Sequence, residues 1–160
     1  MAVHSNWEGV LNEIKQQVAK ALQDDVARIV YATIHEYLLS TVYAQTPSMY
    51  QRTFEVLRAL TVGVAHIEGN SVSVEIYIDS DKIVPYTRDE GWNAHQSFDG
   101  SPFNKELPYA LEFGTGGNTP HQTPAFEFIR KSKTEIEDKN LHLKRLQGYL
   151  KIKGLDVVIT

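Results

Sequence analysis

From Leu11 onward the apolar positions follow one helical rhythm. Leu11, Ile14, Val18, Leu22, Val26, Ile29, Ile34 and Tyr37 recur at intervals of three to five residues, and neither Pro nor Gly interrupts them before Pro47. Ser5 stands three residues before Glu8, the spacing at which a hydroxyl and a carboxylate reciprocally satisfy the first backbone N–H groups of a helix. The pattern predicts a single helix over about residues 7–43. At 1.5 Å per residue it would run on the order of 50–55 Å, more than the roughly 40 Å diameter of a compact chain of this length, so part of it is expected to project. The half from Asn12 to Asp25 is polar around a narrow stripe, whereas Ala27 to Ala32 is apolar almost all round. The first half therefore reads as an arm, with Leu11, Ile14, Val18 and Leu22 as candidate contacts to a neighbouring copy. Their average spacing is nearer 3.7 than 3.5, which argues against a left-handed coiled-coil seam.

Beyond Pro47 the period changes to two. Leu60, Val62 and Val64 alternate on one segment and Val72, Val74, Ile76 and Ile78 on the next, with Glu68-Gly69-Asn70 between them. This predicts a β-hairpin of about residues 55–67 and 71–79. The polar stretch from Ser80 to Pro108 exceeds the length at which structureless loops are common, and Trp92, Phe98 and Phe103 within it are candidate contacts. Leu107 to Phe113 reads as a short helical or extended segment ended by Gly114-Thr115-Gly116-Gly117. A second helix is expected from Pro124 to Gln147, with Pro at its first turn, lying across the sheet. The tail from Leu150 to Thr160 has strand character, with Leu155, Val157 and Ile159 as candidate contacts. The expected fold is α+β in a single domain of residues 1–160. It comprises the long helix with its arm, a body over 50–147 holding a small, mainly antiparallel sheet, and a C-terminal strand or tail over 150–160.

Composition narrows the chemistry. The 160 residues contain no Cys, which removes disulfides, thiolate nucleophiles and Cys-based metal sites. No apolar run approaches the roughly 18–20 residues of a membrane span and no secretory signal is visible at the start, so neither membrane nor export is expected. The formal net charge of -4 is opposite in sign to the field that attracts phosphate backbones, so nucleic acid is not the expected main partner. Arg130, Lys131, Lys133, Lys139, Lys144, Arg145, Lys151 and Lys153 crowd the last third, but Glu135, Glu137 and Asp138 interleave with them, and a solvated helix flank is the favoured reading.

Three pieces in fixed order carry a resemblance. They are Tyr50-x-Arg52-Thr53, then Tyr109-Ala110-x-Glu112-Phe113-Gly114-Thr115-Gly116, then Pro124-Ala125-Phe126. Over about residues 45–135 the chain resembles the gene-product-ten-like family of lambdoid long-tailed phages, the tail-completion or neck proteins. The acidic loop from Asp89 to Lys105 and the tail beyond Gly148 depart from that pattern. The resemblance implies a structural virion protein at the head-to-tail junction, made in the host cytoplasm. It implies a homo-oligomeric ring, taken as a hexamer, that meets neighbouring junction or tail-tube proteins, with DNA only as passing cargo and without catalysis or cofactor. The residues it marks are Tyr50, Arg52, Thr53, Tyr109, Glu112, Phe113, Gly114, Thr115, Gly116, Pro124 and Phe126. On physical grounds, Glu112 between Leu111 and Phe113, both expected to be buried, needs a cationic partner or backbone donors, and Arg52 is the natural candidate.

Other chemistries fit less well. Gly114-Thr115-Gly116-Gly117 lacks the Lys of a phosphate-binding loop, and Pro120 and Pro124 follow it. A metal-dependent hydrolase would have to draw on His95 and His121 with Asp89, Glu90, Asp99 or Glu112, yet no two His residues have helical ligand spacing. Ser97, Ser101, His95 and Asp99 cluster without a Gly-x-Ser-x-Gly elbow. A non-viral adaptor using a strand edge is the remaining alternative.

Overall fold

The computed structural model describes residues 7–44, 54–84, 105–115 and 124–158. The chain forms an α+β fold. The long helix is present over the predicted span, as α1 (Trp7–Ala21), a π segment (Leu22–Val26), α2 (Ala27–Tyr37) and a second π segment (Leu38–Tyr43). Next come a short helix α3 (Glu55–Ala59), strands β1 (Leu60–Val62), β2 (His66–Glu68), β3 (Ser71–Ser73) and β4 (Ile76–Ile78), and a 3-10 turn (Ser80–Lys82). Helices α4 (Leu107–Phe113), α5 (Phe128–Asp138) and α6 (Leu141–Ile152) complete the described elements.

The chain divides into two compact units, one of residues 1–31, 62–76 and 136–160 and the other of residues 32–61 and 77–135. Of the 16 buried hydrophobic residues among those described, 11 lie in the second unit, including Leu38, Val42, Val56, Leu60, Ile83, Phe126 and Phe128. In the first unit α1 lies on the β2–β3 hairpin, and α6 packs on α1 and on the Leu22–Val26 segment. The apolar stripe of the long helix divides accordingly. Val18 and Leu22 are half-buried, whereas Trp7, Val10, Leu11 and Ile14 remain exposed, Trp7 at 76%.

Three elements differ from the sequence reading. Residues 55–59 form α3 rather than the start of a strand. Val56, Ala59 and Leu60 are the buried positions, and their spacing of three and one places them on one helical face. Phe54, left-handed at φ 59, starts the turn by accepting from the Arg58 N–H at 3.1 Å. The expected helix from Pro124 to Gln147 is two helices. Its start is delayed to Phe128, and Asn140 at φ 51 breaks it, a left-handed position that Asn tolerates through its short polar side chain. The tail is not a strand over its described part. Leu150 to Ile152 complete α6, and Gly154 at φ 79 closes that helix, with the Leu155 N–H donating to the Leu150 carbonyl at 2.9 Å. Residues 155–158 have no regular structure, and Ile159 lies outside the described residues.

Candidate functional site

The Glu-Phe-Gly-Thr block builds a corner. Pro108 occupies the first turn of α4, where its missing N–H costs nothing. Gly114 ends the helix at φ 77, ψ 165, a conformation that a side chain would strain, while its N–H donates to the Ala110 carbonyl at 2.8 Å. The segment entering α5 pairs with α4 through backbone bonds, Phe126 N–H to Leu111 carbonyl at 2.9 Å and Glu127 N–H to Glu112 carbonyl at 3.1 Å. Phe126 and Phe128 fill the core on either side of Glu127, which sits at φ 53.

Glu112 closes this corner. It is buried, and its two carboxylate oxygens accept from the N–H groups of Ile129 at 2.8 Å and Arg130 at 3.0 Å. These are the second and third residues of α5, the donors that an N-cap side chain ordinarily satisfies. Glu127, next to the helix start, turns its own side chain to Arg130 instead. A carboxylate 16 residues upstream therefore caps the helix, its charge stabilised by two backbone donors and the positive end of the helix dipole. Backbone donors, one of the two kinds of partner the buried carboxylate called for, thus engage both of its oxygens. Tyr50, Arg52, Thr53 and Gly116 lie outside the described residues. Leu111 is buried as expected, but Phe113 is not. Phe113 at 63% and Tyr109 at 66% exposure face outward, one helical turn apart, with ring centroids 4.5 Å apart. Thr115 is half-buried and Pro124 exposed.

The first unit holds a second construction that the polar pattern concealed. The register His66↔Ser73, Ile67↔Val72 and Glu68↔Ser71 is antiparallel, whereas Gly63 donates to the Glu75 carbonyl at 2.8 Å. Three steps on one strand therefore face two on the other, so one extra residue bulges near Val64 and Ala65. The bulge leaves backbone groups unpaired, and the Gln23 side chain takes both. Its Nε2 donates to the Gly63 carbonyl at 3.0 Å and its Oε1 accepts from the Ala65 N–H at 2.6 Å. Further along the same face Lys15 Nζ donates to the Gly69 carbonyl at 2.7 Å and to Asn70 Oδ1 at 2.9 Å, holding the hairpin turn. The signal in the sequence was Gly63 inside an alternating strand pattern, a mark of a bulge.

Among the described residues no group of three or more His, Asp or Glu side chains could hold a metal, and no helix is long and apolar enough to cross a membrane. Trp92, His95, Phe98, Phe103 and His121 lie outside the described residues. Leu155 and Val157 are half-buried, and the Val157 carbonyl accepts from Gln147 Nε2 at 3.1 Å.

A protein-family model described as YomN matches residues 6–152. The chain belongs to the YomN family. That match takes in α1 through α6 and so includes the Glu112 corner and both contacts of the long helix on the hairpin. No curated protein and no solved structure matches the chain.

Proposed function

We propose that this YomN-family protein is phage- or prophage-derived. In this reading it is a structural component of a tailed virion that completes the tail or joins head to tail at the neck as a homo-oligomeric ring, without catalysis. The observation that carries the reading is the stripe Trp7, Val10, Leu11 and Ile14, which stays exposed although α1 packs on the β2–β3 hairpin and on α6. The spacing of 3, 1 and 3 puts the four residues on one helical face, and contiguous apolar surface of this kind marks a contact between chains. A closed ring needs two different patches on each copy. The exposed pair Tyr109 and Phe113 supplies the second, held in place by the Glu112 corner beneath it. Glu112 itself has both oxygens engaged by backbone donors, an arrangement suited to fixing geometry rather than to moving protons. The resemblance of the Tyr50 to Phe126 pieces to gene-product-ten-like neck proteins supports the same role.

Native mass spectrometry of the purified protein across the micromolar range tests the assembly. A closed oligomer is expected for the wild type, with a hexamer as the expected size, and folded monomer for Val10→Asp/Ile14→Asp by the same measurement combined with circular dichroism. A wild type that is monomeric throughout, or an oligomer that survives the double substitution, would overturn it.

A further inference from the structure

The sequence mixes acidic and basic residues along its last third, but the structure separates them. Glu135, Glu137 and Asp138 belong to α5, while α6 contains no carboxylate at all. From Lys139 to Leu155 there are five Lys or Arg residues and no Asp or Glu, so a chain of net -4 carries +5 here and -9 elsewhere. The apolar side of α6 is taken up within its own unit, where Leu150 is buried and Leu143, Leu146 and Tyr149 are half-buried. Its outward face is centred on Gly148. The residues three and four positions away on either side of Gly148 are its surface neighbours. They are Lys144, Arg145, Lys151 and Ile152, all exposed. Among the described residues none of these three cations is in a salt bridge.

Gly148 lies at the centre of these cations. A glycine in a helix interior is destabilising relative to Ala, and a Cβ at this position would meet nothing within 4 Å. The fold therefore has no packing use for the missing side chain. The bare backbone among three exposed cations allows a bound group to approach the helix closely.

We infer that the α6 face formed by Lys144, Arg145, Gly148 and Lys151 binds the phosphate backbone of nucleic acid, without reading sequence. Lys144 and Lys151 are seven residues apart, about 10 Å along the helix axis, a span that matches a few consecutive phosphates of one strand at about 3.4 Å of axis each. The side chains on this arc are cations that can neutralise phosphates, the contacts that position a protein on nucleic acid without carrying sequence information. An anionic membrane is the less suitable polyanion, because the apolar side of α6 is turned inward and only Ile152 is left to insert. Repulsion from the -9 carried by the rest of the chain does not cancel this local attraction, since distant charges are screened beyond about 8 Å at physiological salt. The inference does not depend on the ring, and holds for a monomer as well.

Fluorescence anisotropy with a labelled mixed-sequence DNA duplex at low salt tests it. Wild-type protein is expected to bind, with affinity falling as salt rises at a slope of about 0.9 per phosphate contacted. Lys144→Gln/Arg145→Gln/Lys151→Gln should weaken binding more than about tenfold and lower the slope by nearly three. Gly148→Leu, which keeps every charge, should also weaken it. Lys20→Gln/Arg28→Gln/Lys105→Gln removes the same charge from exposed positions elsewhere and should leave binding within about twofold, as non-contacting charges contribute little through screening solvent. Melting curves establish that each variant is folded, and Lys151→Gln alone provides a milder variant. Absence of wild-type binding at low salt, equal losses in the two triple variants, or binding to phosphatidylglycerol vesicles without binding to the duplex would each overturn the proposal.

Discussion

The two units treat their buried polar groups differently. In the unit of residues 32–61 and 77–135, Glu112 has two backbone donors, Tyr37 donates its hydroxyl to Glu135 Oε2 at 2.7 Å, and Ser132 in the core donates to the Phe128 carbonyl. In the other unit, Gln17 Oε1 on α1 and His142 Nδ1 and Tyr149 Oη on α6 are buried without a hydrogen-bond partner. The first unit also holds only five of the 16 buried hydrophobic residues among those described. Polar groups inside a core stabilise it only when satisfied, and an orphaned one costs about 1–3 kcal/mol. The larger core is thus built to hold one geometry, with the Glu112 corner at its edge. In the smaller unit, hairpin and helix are secured chiefly by Gln23 and Lys15, while the α1–α6 packing retains unsatisfied groups.

Substitutions break this contrast in order of size. Glu112→Ala removes a buried carboxylate and leaves two helix N–H groups without an acceptor, so it should destabilise by about 3 kcal/mol. In a chain of this size that is a fall in Tm of roughly 6–12 °C by calorimetry. Glu112→Gln, which keeps one acceptor, should lose about half as much. Gln23→Ala exposes the bulge groups to partial solvation and should cost about 1–2 kcal/mol, with lower hydrogen-exchange protection at Ala65 as the local readout. A matched pair then gives the sharpest comparison. Tyr37→Phe deletes a satisfied hydroxyl and should destabilise by about 1 kcal/mol, whereas Tyr149→Phe deletes an orphaned one and should be neutral or stabilising by up to about 1 kcal/mol. Equal effects of the two in urea melts would remove the distinction between the units.

Much of this architecture was legible in the apolar periods. The long helix, the Gly69 turn and the alternation of Val72, Val74, Ile76 and Ile78 all depend on local spacing, which sequence records directly. What stayed hidden depends on partners distant along the chain. Gln23 looked like one more polar residue on a helix flank because nothing local marks its reach to Gly63. Glu112 was recognisable as a carboxylate needing satisfaction. That the start of α5 would supply donors was not, since capping from 16 residues away leaves no spacing signature. The break at Asn140 was missed because apolar residues continue at helical intervals across it, although a left-handed position there needs only one residue. That break also places the acidic residues and the α6 cations on separate helices, a separation that linear charge interleaving conceals.

Immunogold electron microscopy decides the proposed neck role, using polyclonal antibody against this protein on intact and disrupted particles from an induced lysate. Label is expected at the head-to-tail junction. Particles unlabelled in both preparations, with the same antibody detecting the protein in the same lysate, would contradict it.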